Sequence, residues 1–501
     1  MFARNVTRRF FSLPAVPTKF QNKMFINGEF VSAASGDTFG TYNPADESLI
    51  TEVPEAGEED VNRAVAAARH AFDHGPWRLM TGHDRSVLMH RFADLLDRDK
   101  DELAALEALD NGKHVAVAQA ADINLVIRQF RSYAGWADKH FGDVVPIAGP
   151  YFQYTREEPV GVAAQIIPWN FPALMAAWKW GPALATGCVT VTKVAEQTPL
   201  SALKMAELSQ EAGFPPGVIN VITGQGAAGS MLAKHRDVDK VAFTGSTEVG
   251  YDVMRNSHVH NLKRVSLELG GKSANIILSD ADVDLAVQQA TFGLFFNAGQ
   301  CCCAGSRAFV HESIYDQFVE KSVAHAASLK LGGQFSANVD QGPQIDRTQM
   351  DKILKYVESG RSDGAELLTG GNRFGDKGFY VEPTVFAGVT DDMQIAKEEI
   401  FGPVMAVMKF STVDEVIQRA NNSNYGLAAG LVTQSLDNAL YVSNALRAGT
   451  IYVNCFDVFT ESTSFGGYKD SGIGREVGKN GLKNYLETKN VIIKTPEGCL
   501  P

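Results

Sequence analysis

Three consecutive cysteines, Cys301 to Cys303, stand in the segment FFNAGQCCCAGSR, which runs from Phe295 to Arg307. An ordinary thiol has a pKa near ~8.5 and is only a few per cent thiolate at neutral pH, so a nucleophilic cysteine needs a local base or dipole. The small pairs Ala298-Gly299 and Ala304-Gly305 would let substrate and backbone approach closely. We therefore take Cys302 as the candidate nucleophile.

Core packing or metal binding could also account for the triplet. Free cysteine is among the most buried residue types, and on the triplet alone core packing is as good a reason for it as catalysis. A zinc site is disfavoured because structural sites usually separate their cysteines by two to four residues, and no histidine follows at ligand spacing. We therefore expect no bound metal.

Two further polar residues are candidates for catalytic groups because of their positions next to a strand end or between prolines. Glu268, in ELGGKS, ends a predicted strand before two glycines and could take a proton from a thiol or from water. Asn170, in IIPWNFP, lies between two prolines, and its side-chain amide could polarise a carbonyl oxygen. Each residue alone is more typical of a turn or a surface position, so the assignment depends on their combination with the thiol.

Two segments could hold a dinucleotide. Thr244 to Gly250, TGSTEVG, follows a predicted strand, and the backbone N–H groups of a helix starting there could bind a phosphate. The segment is not G-x-G-x-x-G, and an ordinary strand-to-helix turn fits it equally well. Lys193 and Glu196 follow the predicted strand VTVTK, at the end where open α/β sheets bind ligands. A carboxylate there can bind both ribose hydroxyls and would repel a 2′-phosphate, which favours NAD over NADP.

Composition limits the kinds of partner. The 501-residue chain is long enough for about three domains, and 45% hydrophobic residues can fill their cores. A net charge of −12 argues against nucleic-acid or anionic-membrane partners, which need a basic face. Six cysteines, three of them adjacent, do not resemble a disulfide framework and fit a reducing compartment. The most apolar stretch, Val160 to Lys193, is interrupted by prolines and by Lys179, so no membrane-spanning helix is predicted.

The first 22 residues are basic and amphipathic. Arg4, Arg8-Arg9 and Lys19 occur there, whereas the first acidic residue is Glu29. Such a composition is typical of a mitochondrial presequence, and the sequence resembles a processing site with cleavage after Phe11. We predict the mitochondrial matrix; the alternative is a disordered terminus on a cytoplasmic protein.

Apolar periodicity predicts an α/β chain. Asn27-Gly28 in MFINGEF predicts a hairpin, and a helix is expected to stop at Gly112. A later helix should have Thr198 as N-cap, Pro199 in its first turn and Gly213 past its end. Two series of β-rich runs alternate with helices and predict two α/β domains with parallel sheets. The runs are VGVAAQII, VTVTK, GVINVIT, VAFTG and RVSLEL, then ANIIL, RAFVH, AVMKF, AGLVT and TIYVN.

Six motifs in order give the chain a family resemblance. They are PWNFP, FTGSTEVG, LELGGKS, GQCCCAGSR, EEIFGPV and FGGYKDSGIGRE. From Met24 to about Lys494 the chain resembles the NAD-dependent aldehyde dehydrogenases, most closely classes 1 and 2, with the mitochondrial class 2 enzymes nearest. It departs from the family at Val194, Ala298 and Ser464, none of them a catalytic group.

The resemblance implies the domain organisation. Residues 23–140 and 160–270 would form a Rossmann-like NAD-binding domain, and residues 271–475 a second α/β catalytic domain. Residues 141–159 and 476–501 would form a small β oligomerisation element that builds a homotetramer, a dimer of dimers. The reaction implied is oxidation of an aldehyde to a carboxylic acid with NAD+ and water, through a cysteine thiohemiacetal and thioester. Small aliphatic aldehydes such as acetaldehyde would be preferred.

The resemblance also assigns site residues. It implies Cys302 as nucleophile, Glu268 as general base and Asn170 as oxyanion donor. The implied NAD-binding residues are Ile166, Trp169, Lys193, Glu196, Gly245, Ser246, Val249, Gly250, Glu399 and Phe401. The implied substrate tunnel is lined by Leu125, Phe171, Leu174, Met175, Trp178, Phe296, Asp457 and Phe459.

Two other classes of protein compete with this interpretation. A cysteine acyltransferase or thiol hydrolase needs the same nucleophile, but usually a histidine base, and it would leave Lys193 and Glu196 idle. A binding protein that kept the fold and lost activity should have lost Cys302, Glu268 or Asn170, and all three are present.

Overall fold

The computed structural model describes residues 14–496 and 498. The predicted cleavage site after Phe11 and most of the predicted presequence lie outside the described residues, and residues 14–22 have no regular secondary structure. In the described part of the chain, no helix is both long enough and apolar enough to cross a membrane.

The strands and helices are numbered in chain order. The strands are β1 (Met24–Ile26), β2 (Glu29–Val31), β3 (Thr38–Tyr42), β4 (Leu49–Pro54), β5 (Val144–Val145), β6 (Tyr151–Pro159), β7 (Val162–Ile166), β8 (Val189–Lys193), β9 (Ile219–Ile222), β10 (Lys240–Thr244), β11 (Arg264–Glu268), β12 (Ala274–Ile277), β13 (Arg307–His311), β14 (Glu366–Thr369), β15 (Thr384–Ala387), β16 (Val404–Phe410), β17 (Ala428–Val432), β18 (Thr450–Val453), β19 (Gly472–Ile473) and β20 (Leu486–Lys494). The helices are α1 (Glu58–Asp73), α2 (Gly82–Arg98), α3 (Lys100–Asn111), α4 (Val115–Val117), α5 (Asn124–Ala134), α6 (Pro172–Thr186), α7 (Leu200–Ala212), α8 (Gly226–Lys234), α9 (Thr247–Ser257), α10 (Val283–Phe295), α11 (Tyr315–Ser328), α12 (Arg347–Ser362), α13 (Gln394–Lys397), α14 (Val413–Asn421), α15 (Leu436–Ala445) and α16 (Gly478–Leu482).

The first sheet has the order β19-β11-β10-β7-β8-β9-β1-β2. Its five central strands, β11 to β9 in that order, are parallel, and they are the five that the first series of β-rich runs predicted. Every residue of β7, β8 and β9 is buried, as expected for parallel strands covered on both faces. The strand order reverses between β7 and β10, and such a switch point is where a Rossmann-like sheet binds its ligand.

The second sheet has the order β14-β15-β16-β13-β12-β17-β18. All its strands are parallel except β14, and the second predicted series supplies β12, β13, β16, β17 and β18. The cysteine triplet follows α10 and precedes β13. The fold is therefore the predicted α/β arrangement of a Rossmann-like domain and a second α/β domain.

A third, separate sheet has the order β20-β6-β5. Strands β6 and β20 pair antiparallel along their whole length, from Leu486 opposite Pro159 to Lys494 opposite Tyr151. Apolar side chains on this sheet are exposed, among them Ile492 and Phe152. Strands β3 and β4 form a fourth, two-stranded sheet.

Glycine turns confirm two of the predicted helix ends, and one predicted cap is wrong. Gly112 and Gly213 both have left-handed backbones, at φ 88° and 98°, at the ends of α3 and α7. Helix α7 begins at Leu200 with Pro199 as its N-cap, not Thr198. The reason is that the first amide of α7, Leu200 N, donates to Asp110 Oδ2 at 2.9 Å. A carboxylate from α3 therefore caps the helix that Thr198 was expected to cap.

Candidate active site

The segment before Cys302 has an unusual backbone. Asn297, Ala298 and Gly299 are consecutive left-handed residues, with φ of 51°, 56° and 76°. For a non-glycine residue this conformation costs about 1–2 kcal/mol, and such strain concentrates at functional sites. Asn297 Nδ2 donates to Asn170 O at 3.1 Å, and Gln344 Nε2 donates to Ala298 O at 3.3 Å. These bonds hold the turn that presents the cysteine triplet.

The three thiols have different environments. Cys301 and Cys303 are buried, whereas Cys302 is partly exposed. The interaction with Cys301, and after it the interaction with Cys303, lowers the pKa of Cys302 to about 6, although burial opposes this. The interaction with Cys302 raises the pKa of Cys301. Cys302 is thus the one accessible thiol of the three, and its pKa is shifted in the direction that favours the thiolate.

One group of side chains near the triplet could hold a metal. Ligand atoms of Cys301, Cys303 and Asp457 lie within 4.8 Å of one another. Hydrogen bonds also account for this closeness, because the Sγ atoms of the two cysteines lie 3.4 Å apart and Cys303 Sγ donates to Asp457 Oδ1 at 3.2 Å. Residue spacing along the chain does not reveal this group, because its third member, Asp457, comes from a distant loop.

Glu268 ends β11, beside the switch point of the first sheet. Its side chain is buried, and no cation of the described residues lies within ion-pair distance. Burial, and then the charge of Glu476, raise the pKa of Glu268 well above its ordinary value. Lys179 Nζ binds Glu476 Oε1 at 2.7 Å and Thr244 Oγ1 at 2.6 Å. A buried ion pair thus lies next to an uncompensated carboxyl group.

Asn170 lies in the loop between β7 and α6. Its Nδ2 donates to Gln300 O at 3.2 Å, which places the side chain two residues from Cys302 along the triplet loop. Its main-chain carbonyl accepts from Lys113 Nζ at 2.9 Å, as well as from Asn297 Nδ2. Sequence reasoning missed Lys113, Asn297 and Gln300. Their polar character after a helix end could not be told from that of a solvated turn.

The predicted NAD-binding residues of the first sheet lie around the switch point. Ile166 ends β7 and Lys193 ends β8. Lys193 Nζ lies 3.0 Å from Glu196 Oε2, and the Glu196 side chain is 41% exposed. Ser246 Oγ accepts from Val249 N at 3.3 Å and caps α9, whose start also contains the adjacent Gly245 and, within the helix, Gly250. A helix N-terminus at the switch point suits a phosphate group.

The remaining predicted NAD-binding residues connect this sheet with the cysteine loop. The rings of Trp169 and Phe401 meet edge to face, with centroids 5.2 Å apart. Glu399 Oε1 accepts from Gly271 N at 3.0 Å, and burial raises the pKa of Glu399 to about 7. A Cβ on Gly271 would lie 2.5 Å from Cys302 O. Because Gly271 has no side chain, both Glu399 and the main chain of Cys302 can lie close to it.

The predicted tunnel residues form part of one apolar cluster. Phe171 and Phe296 stack with centroids 6.2 Å apart, and Trp178 lies 6.5 Å from Phe459. The seven apolar members belong, with Cys302, to one hydrophobic cluster: Leu125, Phe171, Leu174, Met175, Trp178, Phe296 and Phe459. The eighth, Asp457, is polar, and burial raises its pKa well above the ordinary value. A carboxyl group therefore interrupts an apolar wall.

Comparison with known proteins agrees with this geometry. The model of the aldehyde dehydrogenase family matches residues 30–491. A mitochondrial aldehyde dehydrogenase of Mesocricetus auratus is 58% identical over 483 residues, 96% of this chain and 97% of that protein. Mitochondrial benzaldehyde dehydrogenase of Antirrhinum majus is 56% identical over 486 residues, 96% of this chain and 91% of that protein.

A solved structure shares both fold and cofactor chemistry. The NAD+ complex of aldehyde dehydrogenase from Bacillus cereus has a TM-score of 0.93 and 52% identity, covering 95% of this chain and 96% of that one. The resemblance noted in the motifs is confirmed, as are the α/β fold and the use of NAD. The chain belongs to the aldehyde dehydrogenase family, and it is an enzyme that oxidises aldehydes with NAD+.

Proposed function

We propose that Cys302, Asn170 and Glu268 carry out the oxidation in this chain. The observation that carries the proposal is the state of Cys302, an accessible thiol whose pKa is lowered to about 6. As a thiolate its Sγ attacks the aldehyde carbon, and the carbonyl oxygen becomes an oxyanion. The Asn170 amide has two N–H donors, of which Gln300 O accepts one. The other, with Cys302 N–H, is available to the oxyanion, and such a donor is typically worth ~3 to 4 kcal/mol of barrier.

The second half of the reaction is assigned to Glu268. Bound NAD+ supplies the acceptor for the hydride that leaves the thiohemiacetal carbon. A thioester then remains on Cys302. Glu268 takes a proton from water, the water oxygen attacks the thioester carbon, and the bond to Cys302 Sγ breaks to release the acid. A raised pKa makes the ionised Glu268 a stronger base, which supports this role.

The residues at the switch point have the chemistry to hold NAD. Glu196 uses one carboxylate oxygen for Lys193, so in the described part of the chain the other is available to a ribose hydroxyl. The start of α9 and Trp169 would hold the diphosphate, and Glu399 with Phe401 the nicotinamide ribose. The exposure of Glu196 and the cap at Ser246 support this assignment.

We infer a preference for small aliphatic or slim aromatic aldehydes. Leu125 and Phe459 fill the two tunnel positions where family members that accept retinal have smaller residues. A narrow apolar channel rejects bulky polyenes by shape, whereas one extra methylene changes binding by only about 0.8 kcal/mol. The Antirrhinum relative is named for benzaldehyde, a slim aromatic that such a channel would admit.

The test compares substrates of different width. The kcat/KM for acetaldehyde or propanal should exceed that for all-trans-retinal, and the Leu125→Gly, Phe459→Val double variant should accept larger aldehydes. A ratio below one in the unmodified enzyme would show that the tunnel assignment is wrong.

Assembly, domain division and location are also proposals. We assign the domain roles as the family resemblance implies, with residues 141–159 and 476–501 building a homotetramer. The exposed apolar residues of the third sheet support this. Relatives named mitochondrial favour the matrix over the cytoplasm. Residues 1–22 fused to a fluorescent protein should direct it to mitochondria, and a diffuse cytoplasmic signal would favour the alternative.

A further inference from the structure

A buried polar cluster contacts the loop that carries Asn170. Its members come from α3 and the segment that follows: Glu107, Asp110, Asn111, Lys113 and Asp122. Each is at most 5% exposed. Charged residues are almost never buried to this extent unless they are paired. We therefore expect these buried polar groups to be held by specific hydrogen bonds and ion pairs.

The cluster binds the main chain on both sides of Asn170. Lys113 Nζ donates to Asn170 O at 2.9 Å and to Asp122 Oδ2 at 2.5 Å. Asn111 Nδ2 donates to Trp169 O at 2.7 Å. Glu107 Oε2 accepts from Ala173 N, in the first turn of α6, at 3.1 Å. The loop that carries Asn170 is thus held at three points within five residues.

Lys113 also contacts the next residue of that loop. Its Nζ lies 4.1 Å from the centroid of the Phe171 ring, within the range of a cation–π interaction. An ammonium group has three N–H donors. The three contacts of Lys113 Nζ, with Asp122, with Asn170 O and with the Phe171 ring, match that number. The Asn170 carbonyl is therefore held by a buried ammonium group on one element and by Asn297 of the cysteine loop on another.

Stability alone is a poor reason for such a pair. Removing two charges from water costs several kcal/mol per ion, and well-packed apolar replacements of buried ion pairs are often neutral or stabilising. A better reason for the pair is that it fixes the geometry of the loop that carries Asn170. A displacement of about 1 Å at a reacting group can lower a rate about 100-fold.

We propose that Lys113, held by Asp122, is a positioning residue that aims the side-chain amide of Asn170 at the oxyanion. The inference rests on the proposed role of Asn170 as oxyanion donor. Lys113 acts through the Asn170 carbonyl: it fixes the peptide from which the side chain projects, and Asn297 fixes the same oxygen from the cysteine loop.

The first experiment replaces Lys113 by an apolar residue of similar length. Lys113→Met should lower the burst rate of NADH formation from propanal about 10- to 100-fold, with the KM for NAD+ changed by less than about twofold. Lys263→Met is the matched control, because Lys263 is also buried and its Nζ donates to the main-chain carbonyls of Ala233 and His235, at 2.8 and 2.9 Å. The control should keep the wild-type burst rate.

The second experiment separates positioning from general damage. In an Asn170→Ala background, Lys113→Met should cost less than about threefold, because the group that it aims is gone. Equal losses in both backgrounds would overturn the proposal, and so would a change confined to the KM for aldehyde. If Lys113→Met does not fold, Asp122→Asn is measured in the same two backgrounds. Full activity of Asn170→Ala alone would instead refute the oxyanion role proposed for Asn170.

Discussion

At the scale of residues, the lowered pKa of Cys302 depends on its two neighbours in the triplet. Cys301 and Cys303 are buried on either side of it along the chain, and the interaction with Cys301 is the largest cause that lowers its pKa. A thiolate is both the nucleophile and the form that alkylating reagents attack. Of the three thiols, only the central one is both accessible and lowered in pKa, as its proposed role as nucleophile requires.

Substitutions within the triplet should separate these roles. Cys302→Ala should abolish NADH formation and leave NAD+ binding nearly unchanged, because the thiol is used in chemistry alone. Cys301→Ala should remain active. Its half-point for iodoacetamide alkylation of Cys302 should move to higher pH, since the largest influence lowering that pKa is lost. An active Cys302 variant beside an inactive Cys301 variant would reverse the assignment.

At the scale of elements, the sheets follow from the sequence more directly than the polar contacts do. Strands β7 and β8 are fully buried and consist mostly of apolar or β-branched residues, and the Asn27-Gly28 turn is a local signal. The cap of α7 could not be predicted, because Asp110 lies on another helix. The contacts of Lys113 could not be predicted either. A lysine that follows a helix end looks the same in the sequence whether its side chain is solvated or buried.

Strand β20 provides the element-scale prediction. It lies at the edge of the third sheet, and Ile492 on it is 53% exposed. Unpaired edge strands with exposed apolar residues readily pair with another chain. Ile492→Asp should therefore shift the mass measured by light scattering from tetramer towards smaller species. Leu79→Asp, at an 84% exposed site outside this sheet, should leave the mass unchanged. A tetramer in both variants would exclude β20 from the interface.

At the scale of the molecule, one apolar cluster contains residues of both large sheets, and a second cluster belongs to the second sheet. Val241 on β10 and Val407 on β16 belong to the same buried cluster, although they lie in different sheets. Apolar packing that continues from one sheet to the other disfavours free movement of one domain against the other. Ligand binding at the switch point should therefore raise the free energy of unfolding of both domains together.

Cofactor binding should stabilise the folded chain and discriminate between dinucleotides. NAD+ at 100 times its Kd should raise the free energy of unfolding by about 2.7 kcal/mol. NADP+ at the same concentration should have little effect on the melting temperature, because the Glu196 carboxylate would face the 2′-phosphate. Glu196→Gln should narrow the difference between the two melting shifts. Equal shifts in the unmodified enzyme would show that Glu196 does not select NAD.

The buried pair of Lys179 and Glu476 has a consequence for synthesis on the ribosome. The two residues are separated by 297 positions, so at 5–20 residues per second Lys179 emerges roughly 15 to 60 seconds before its partner exists. During that interval β11 also lacks β19, its neighbour at the edge of the sheet. The first sheet is therefore completed only when residues near the C-terminus have been made. Until then the nascent protein has an open strand edge at β11, which a chaperone could cover.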